Sequence, residues 1–215
     1  MKRIAVAMAL VLLSARSWSG PLDPDPAPVP RRDPALDRMM ENIVQELTAK
    51  YSRTHRKDRV AACVIDLGTK DKPMRPPAMG SWRGSEQIYP ASIIKVFYMA
   101  AAYAWAEAGK LEMSSQVKYD LKIMIDVSSN TATQRTLNRI CGVQPGDLLS
   151  KTEFEKFAAK RNQVNEWLRG LGFAEMNACQ GTWDGTPSPR DRQLLTMNMS
   201  GSGPYVNHNK LSAEE

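Results

Sequence analysis

The sequence predicts an α+β fold in which helices pack on an antiparallel sheet. An apolar stripe at helical spacing opens just after Asp33. A β-branched run at residues 60–67 is followed by a turn and a second short run. Residues 92–172 then read as a nearly continuous helical block. With 215 residues, 42% of them hydrophobic and 24% charged, the chain can bury one large core without disulfide staples.

The first residues read as an address rather than as structure. Lys2 and Arg3 precede an apolar run at residues 4–13 and then small and polar residues to Gly20. That is the layout of a secretory signal over residues 1–19, cut after Ser19, with an uncleaved anchor as the competing reading. The apolar run is too short to span a bilayer as a helix. A secreted or periplasmic protein is therefore expected, with no membrane span in its mature form. Six prolines crowd residues 21–34, so residues 20–34 read as an extended proline-rich linker and residues 35–215 as the folded domain.

Asp33 suits an N-cap and Pro34 the first helical position. Leu36, Met39, Met40, Ile43, Val44 and Leu47 supply the stripe of the first helix. A strand over residues 60–67 ends at Gly68, a polar turn with prolines fills 70–77, and a weaker strand follows over 78–83. The next helix runs over 92–108 and stops at Gly109. Val117, Leu121, Met124 and Ile125 form a short helical face, and another helix starts after Asn130, which can act as its cap. Thr152 and Glu155 fit a capping box for the helix that ends at Gly172. Residues 177–209, rich in Gly, Pro, Ser and Asn, show no period, while Ser212 to Glu215 repeats the capping-box pattern and signals a helix start.

Composition removes several functions. The net charge of +6 comes without aromatic residues at stacking spacing, so it reads as a solvated basic surface and not as a nucleic-acid site. Cys63, Cys141 and Cys179 stand far apart and, with His55 and His208, do not make a metal cluster. One cysteine pair could oxidise outside the cytoplasm and leave one thiol free. Both histidines read as solvated residues, which disfavours a Ser-His-Asp hydrolase. No metal or cofactor is expected.

The chemistry concentrates at two places. Residues 93–106 are apolar on all sides of a helix except for Lys95. Burying a lone ammonium is costly, so this lysine needs a purpose. Ser92 precedes it by three residues, on the same face and at the helix N-terminus, where developing negative charge is stabilised. A buried lysine with a lowered pKa can act as a base toward that hydroxyl. The second place is Val127-Ser128-Ser129-Asn130-Thr131-Ala132-Thr133, a turn between two helices. It can offer Ser128 as a proton relay and Asn130 as an orienting amide.

Tyr89-Pro90-Ala91-Ser92-Ile93-Ile94-Lys95-Val96, followed by that second motif, resembles the penicillin-recognising serine hydrolases, specifically the class A β-lactamase-like branch. Similarity extends from about Asp33 to the C-terminus, through residues 164–172 and 209–214. The resemblance implies a β-lactamase/transpeptidase-like fold, with helices on both faces of an antiparallel sheet and an all-helical subdomain. It implies that Ser92 accepts the acyl group, Lys95 activates it, Ser128 passes a proton to the departing nitrogen, and Asn130 binds substrate and Lys95. The Ser92 N–H would supply half of an oxyanion hole. A monomer acting on a small β-lactam or peptidoglycan-like substrate is expected.

Four departures qualify the resemblance. Ser129 replaces the usual aspartate. Fewer residues than usual separate the two motifs. The family's deacylating glutamate-and-asparagine pattern is missing after Gly172, leaving Glu175 and Asp184 as the nearest carboxylates, neither well placed. No Lys-Thr-Gly or Lys-Ser-Gly triplet occurs. By resemblance, its strand, further strands and a closing helix are missing, so the chain reads as C-terminally truncated, poorly folded and of doubtful activity by itself. The alternatives are a peptidoglycan D-Ala carboxypeptidase or esterase using the same nucleophile, and a non-catalytic degenerate envelope protein.

Overall fold

The computed structural model describes residues 29–51, 57–69 and 71–214. The expected signal segment, most of the linker, and His55 lie outside them. Among the described residues the architecture is α+β, with a small sheet and six α-helices. Arg31–Arg32 (β1) lies within the stretch read as linker and pairs in parallel with β3 (Pro73–Trp82), which pairs antiparallel with β2 (Ala62–Gly68). The sheet is thus mixed. The turn expected over 70–77 contracts, because β3 already begins at Pro73. Prolines are tolerated there since β1 reaches only Ala78 and Met79, and the β2 register is irregular between Asp66 and Gly68. This half of the strand behaves as an edge.

Pro34–Lys50 (α1) starts as its sequence dictates: the Asp33 carboxylate accepts from the Ala35 N–H, and Pro34 occupies the first turn. The helix packs on β3 and β2. It crosses so closely that a Cβ on Gly80 would lie 2.3 Å from the Leu36 carbonyl carbon. Among the described residues no other helix packs against a strand. The remaining helices build a core of their own.

That core gathers Ile94–Glu107 (α2), Ser115–Asp126 (α3), Asn130–Cys141 (α4) and Lys151–Gly170 (α5) around Tyr98, Met124, Leu137 and Val164, all fully buried. The α5 capping box is made by Ser150 and Glu153, and not by Thr152 and Glu155. The two candidates are two residues apart in a polar stretch, and Ser150 wins because Lys151 already has helical geometry. The segment without visible period contains a sixth helix, Pro189–Thr196 (α6), capped by Ser188 with proline in its first turn. Eight residues are too few for a periodic signal. No helix starts at Ser212 among the described residues; Glu214 instead accepts from Ser81 and pairs with Arg32 at 2.6 Å, tying it to β1 and β3.

All three cysteines are free thiols. Burial pushes Cys141 up to about 12 and Cys179 up to about 11, so both are inert. Arg161 of α5 and Asp191 of α6 form an ion pair at 2.6 Å, with 0% and 1% of their side chains exposed. Removing one partner strands a charge in the core. Asp191→Ala is expected to cost about 3–5 kcal/mol in urea unfolding, while the joint Arg161→Met, Asp191→Leu replacement costs far less. Equal losses in the two variants would show that the pair itself holds α5 to α6.

Candidate active site

Ser92 sits in the 3₁₀ turn Ala91–Ile93 that leads into α2, and its side chain is exposed. One turn later Lys95 is only 2% exposed. The turn between α3 and α4 reaches over both. Its Ser129 caps α4 by accepting from the Ala132 N–H, so the capping role open to Asn130 falls to its neighbour. Asn130 is thereby the first helical residue, and its side chain is free for Lys95.

Lys95 Nζ donates to the Ser128 carbonyl at 2.6 Å, to Ser128 Oγ at 2.8 Å and to Asn130 Oδ1 at 2.8 Å. Three acceptors match the three protons of an ammonium. Ser128 Oγ in turn donates to Ser92 Oγ at 3.0 Å. Ser92, Ser128, Lys95 and Asn130 are therefore one connected cluster. Two residues of this region hold left-handed backbone: Ala91 at φ 48° and Ser128 at φ 57°. Each conformation costs about 1–2 kcal/mol for a residue with a Cβ. Without it, Ser128 could not aim carbonyl and hydroxyl at the same ammonium.

Burial lowers the Lys95 pKa from its ordinary value, and the Asp184 charge partly opposes this. A lowered pKa makes the neutral amine accessible. The hydrogen bonds then reverse: Ser92 donates to Ser128 Oγ and Ser128 donates to the Lys95 lone pair, while Lys95 keeps two N–H bonds to Ser128 O and Asn130 Oδ1. The cluster has the geometry of a two-step path by which a proton could leave Ser92. The Ser92 N–H lies at a helix start, where the dipole favours an oxyanion.

A cleft of about 430 Å³ opens over Ser92, bounded by Tyr89, Asn130, Trp183, Pro187 and Tyr205. Of the two carboxylates weighed from sequence, Glu175 lines a separate cleft with Asn165 and Arg169. Asp184 instead joins the cluster: Asn130 Nδ2 donates to its Oδ1 at 2.9 Å and Thr131 Oγ1 to its Oδ2 at 2.9 Å. That bond pattern, together with Trp183 and Tyr205 in the cleft wall, is what sequence reasoning missed. These residues come from a segment without periodicity, and the local signal it holds is the turn-forming Asp184-Gly185 pair. His208 is half-buried with its ring 6.1 Å from that of Tyr89, in an edge-on contact.

A family model described as the β-lactamase enzyme family matches residues 40–193, a span holding every member of the cluster. The chain belongs to the β-lactamase enzyme family. No curated protein and no solved structure matches it significantly. Membership agrees with the α+β fold and with a small β-lactam as the kind of molecule this family takes.

In this β-lactamase-family chain the Lys95 charge has a stability consequence. Its folded pKa lies below that of the unfolded chain, so the unfolded state binds more protons between the two values. Stability from this group therefore rises with pH through that window. Lys95→Met removes the effect and keeps the stem volume. Its stability relative to wild type should be greatest below the folded Lys95 pKa and decline toward alkaline pH. Urea melts of both proteins across pH check this; a pH-independent difference would mean that Lys95 is not perturbed.

Proposed function

We propose that the chain is a serine hydrolase that opens the β-lactam amide through an acyl-enzyme on Ser92, outside the cytoplasm. The observation that carries this reading is the unbroken hydrogen-bond path from Ser92 Oγ through Ser128 Oγ to Lys95 Nζ. Ser92 Oγ attacks the lactam carbonyl carbon while its proton passes through Ser128 to neutral Lys95. The carbonyl oxygen gathers charge beside the Ser92 N–H. The C–N bond then breaks, and the nitrogen takes a proton from Ser128, which Lys95 replenishes. The product is an ester on Ser92, which water hydrolyses to the opened acid and free serine. Asn130 Oδ1 holds Lys95 in line throughout.

The path needs no histidine. It is also compatible with a peptidoglycan-type amide, since attack and leaving-group protonation are the same. A fluorescent penicillin followed by intact-mass measurement tests the reading. One acyl adduct is expected, absent in Ser92→Ala and formed about 10²–10⁴-fold more slowly in Ser128→Ala. An adduct that survives Ser92→Ala would overturn the assignment of the nucleophile. An adduct that forms and never hydrolyses would move the chain to the penicillin-binding carboxypeptidase type.

A further inference from the structure

Asn130 has two ends, and each faces a group that tolerates only one of them. Its Oδ1 meets the Lys95 ammonium, a pure donor, and its Nδ2 meets the Asp184 carboxylate, a pure acceptor. Turning the amide over would set donor against donor on one side and acceptor against acceptor on the other. Asp184 is itself fixed, because Thr131 donates to its second oxygen. The loop carrying it is held at both ends. Before it, the Asn209 side chain bonds both the N–H and the carbonyl of Gln180, and a Cβ on Gly181 would lie 1.6 Å from Gln134 Oε1. After it, Ser188 caps α6 and Arg161 pairs with Asp191.

We infer that Asp184 is a positioning residue, which orients the Asn130 amide and through it holds Lys95 in line with Ser128 and Ser92. The inference rests on the reading of Ser92 as acyl acceptor. It differs from a role for Asp184 as the base that activates water. Both its oxygens are occupied, by Asn130 and Thr131, and it lines the neighbouring cleft of about 460 Å³ alongside Arg135 and Arg139. The cleft over Ser92 is bounded by other residues. Asp184 also sets the balance on Lys95. Asp126 ends α3 and Arg135 lies on α4; the Asp184 carboxylate, held against the Asn130 amide that Lys95 contacts, raises the Lys95 pKa against the lowering by burial. Its carboxylate favours the ammonium and counters burial.

The test measures acylation by a fluorescent penicillin across pH, with a parallel nuclear magnetic resonance titration of Lys95. Asp184→Asn keeps the shape and removes the charge. Asn130 stays oriented by the new amide oxygen, so the plateau rate stays close to wild type. Acylation needs neutral Lys95, and its pKa falls when the carboxylate goes, so the acidic limb moves to lower pH. Asp184→Ala moves the limb the same way and leaves Asn130 Nδ2 with only its longer contact to the Trp183 carbonyl at 3.4 Å, which loosens the amide and lowers the plateau about 10- to 100-fold. Thr131→Val keeps the charge and loosens its anchor, so the plateau falls less and the limb stays. Asp184 is exposed, so none of these variants threatens the core.

Asp184→Ala with a wild-type limb and plateau would overturn the inference. So would normal acylation followed by an adduct that persists, which would place Asp184 on water instead. Wild-type protein that takes no label, with Lys95 still titrating lower in Asp184→Asn, would sink the enzyme reading while supporting the electrostatic coupling of Asp184 to Lys95.

Discussion

A lysine ammonium with 2% of its surface exposed must find an acceptor for each of its protons, and α2 has none to offer. Its neighbours on the helix are Ile94, Val96 and Phe97. The acceptors have to come from a different element, and one turn supplies all three. Three consecutive residues then carry three duties. Ser128 bends into left-handed backbone to present carbonyl and hydroxyl together, Ser129 caps α4, and Asn130 opens that helix with its amide toward the lysine. The placement of Ser92 follows from the same constraint, because Ser128 Oγ accepts a hydrogen bond from Lys95 and turns its own proton toward Ser92.

Such a turn keeps its strained backbone only if the helices on either side cannot relax. They are clamped by one buried carboxylate. Asp120 on α3 is fully buried and accepts from Arg135 and Arg139, which stand one helical turn apart on α4. Burial alone would raise the Asp120 pKa, yet the two guanidiniums hold it below the ordinary carboxylate range. The ion pair therefore stays charged at neutral pH and fixes the α3–α4 corner that the turn closes. Behind it lie Leu121, Met124, Leu137 and Ile140, packed in the helical core. The turn is thus exposed at Val127 and Ser128, half-buried at Ser129 and Asn130, and rigid in its footing.

The parts legible in the sequence are those encoded locally. Ser92 and Lys95 share a helical face at a spacing of three, and the apolar helix around Lys95 makes the charge conspicuous. Ser128 and Asn130 lie in a short turn between two periodic segments. The Asp33-Pro34 start of α1 could be read for the same reason. What escaped reading depends on partners far along the chain. Prolines at 73, 76 and 77 argue against a strand until it is known that β1 covers so little of β3. Residues 177–180 carry no period because they are held by side chains, with Asn165, Asn209 and Tyr98 bonding their backbone or amide groups. Asp184 rides on that segment. Its residue type was visible, whereas its place against Asn130, fifty-four positions away, was not.

Two opposing influences meet on Lys95, and the proposed chemistry needs both. Burial favours the neutral amine, which is the form that can draw the Ser92 proton through Ser128. A lysine shifted too far would hold no proton to return, and the departing nitrogen must receive one for the acyl-enzyme to form. The Asp184 carboxylate keeps the ammonium within reach. A group that serves first as base and then as acid works best when neither state dominates at the operating pH. The division of labour between the two segments follows from this. The helix and the turn, whose spacing is local, assemble the proposed nucleophile and its proton path. The aperiodic loop, anchored at both ends by buried polar bonds, adjusts how readily that path accepts and gives up its proton.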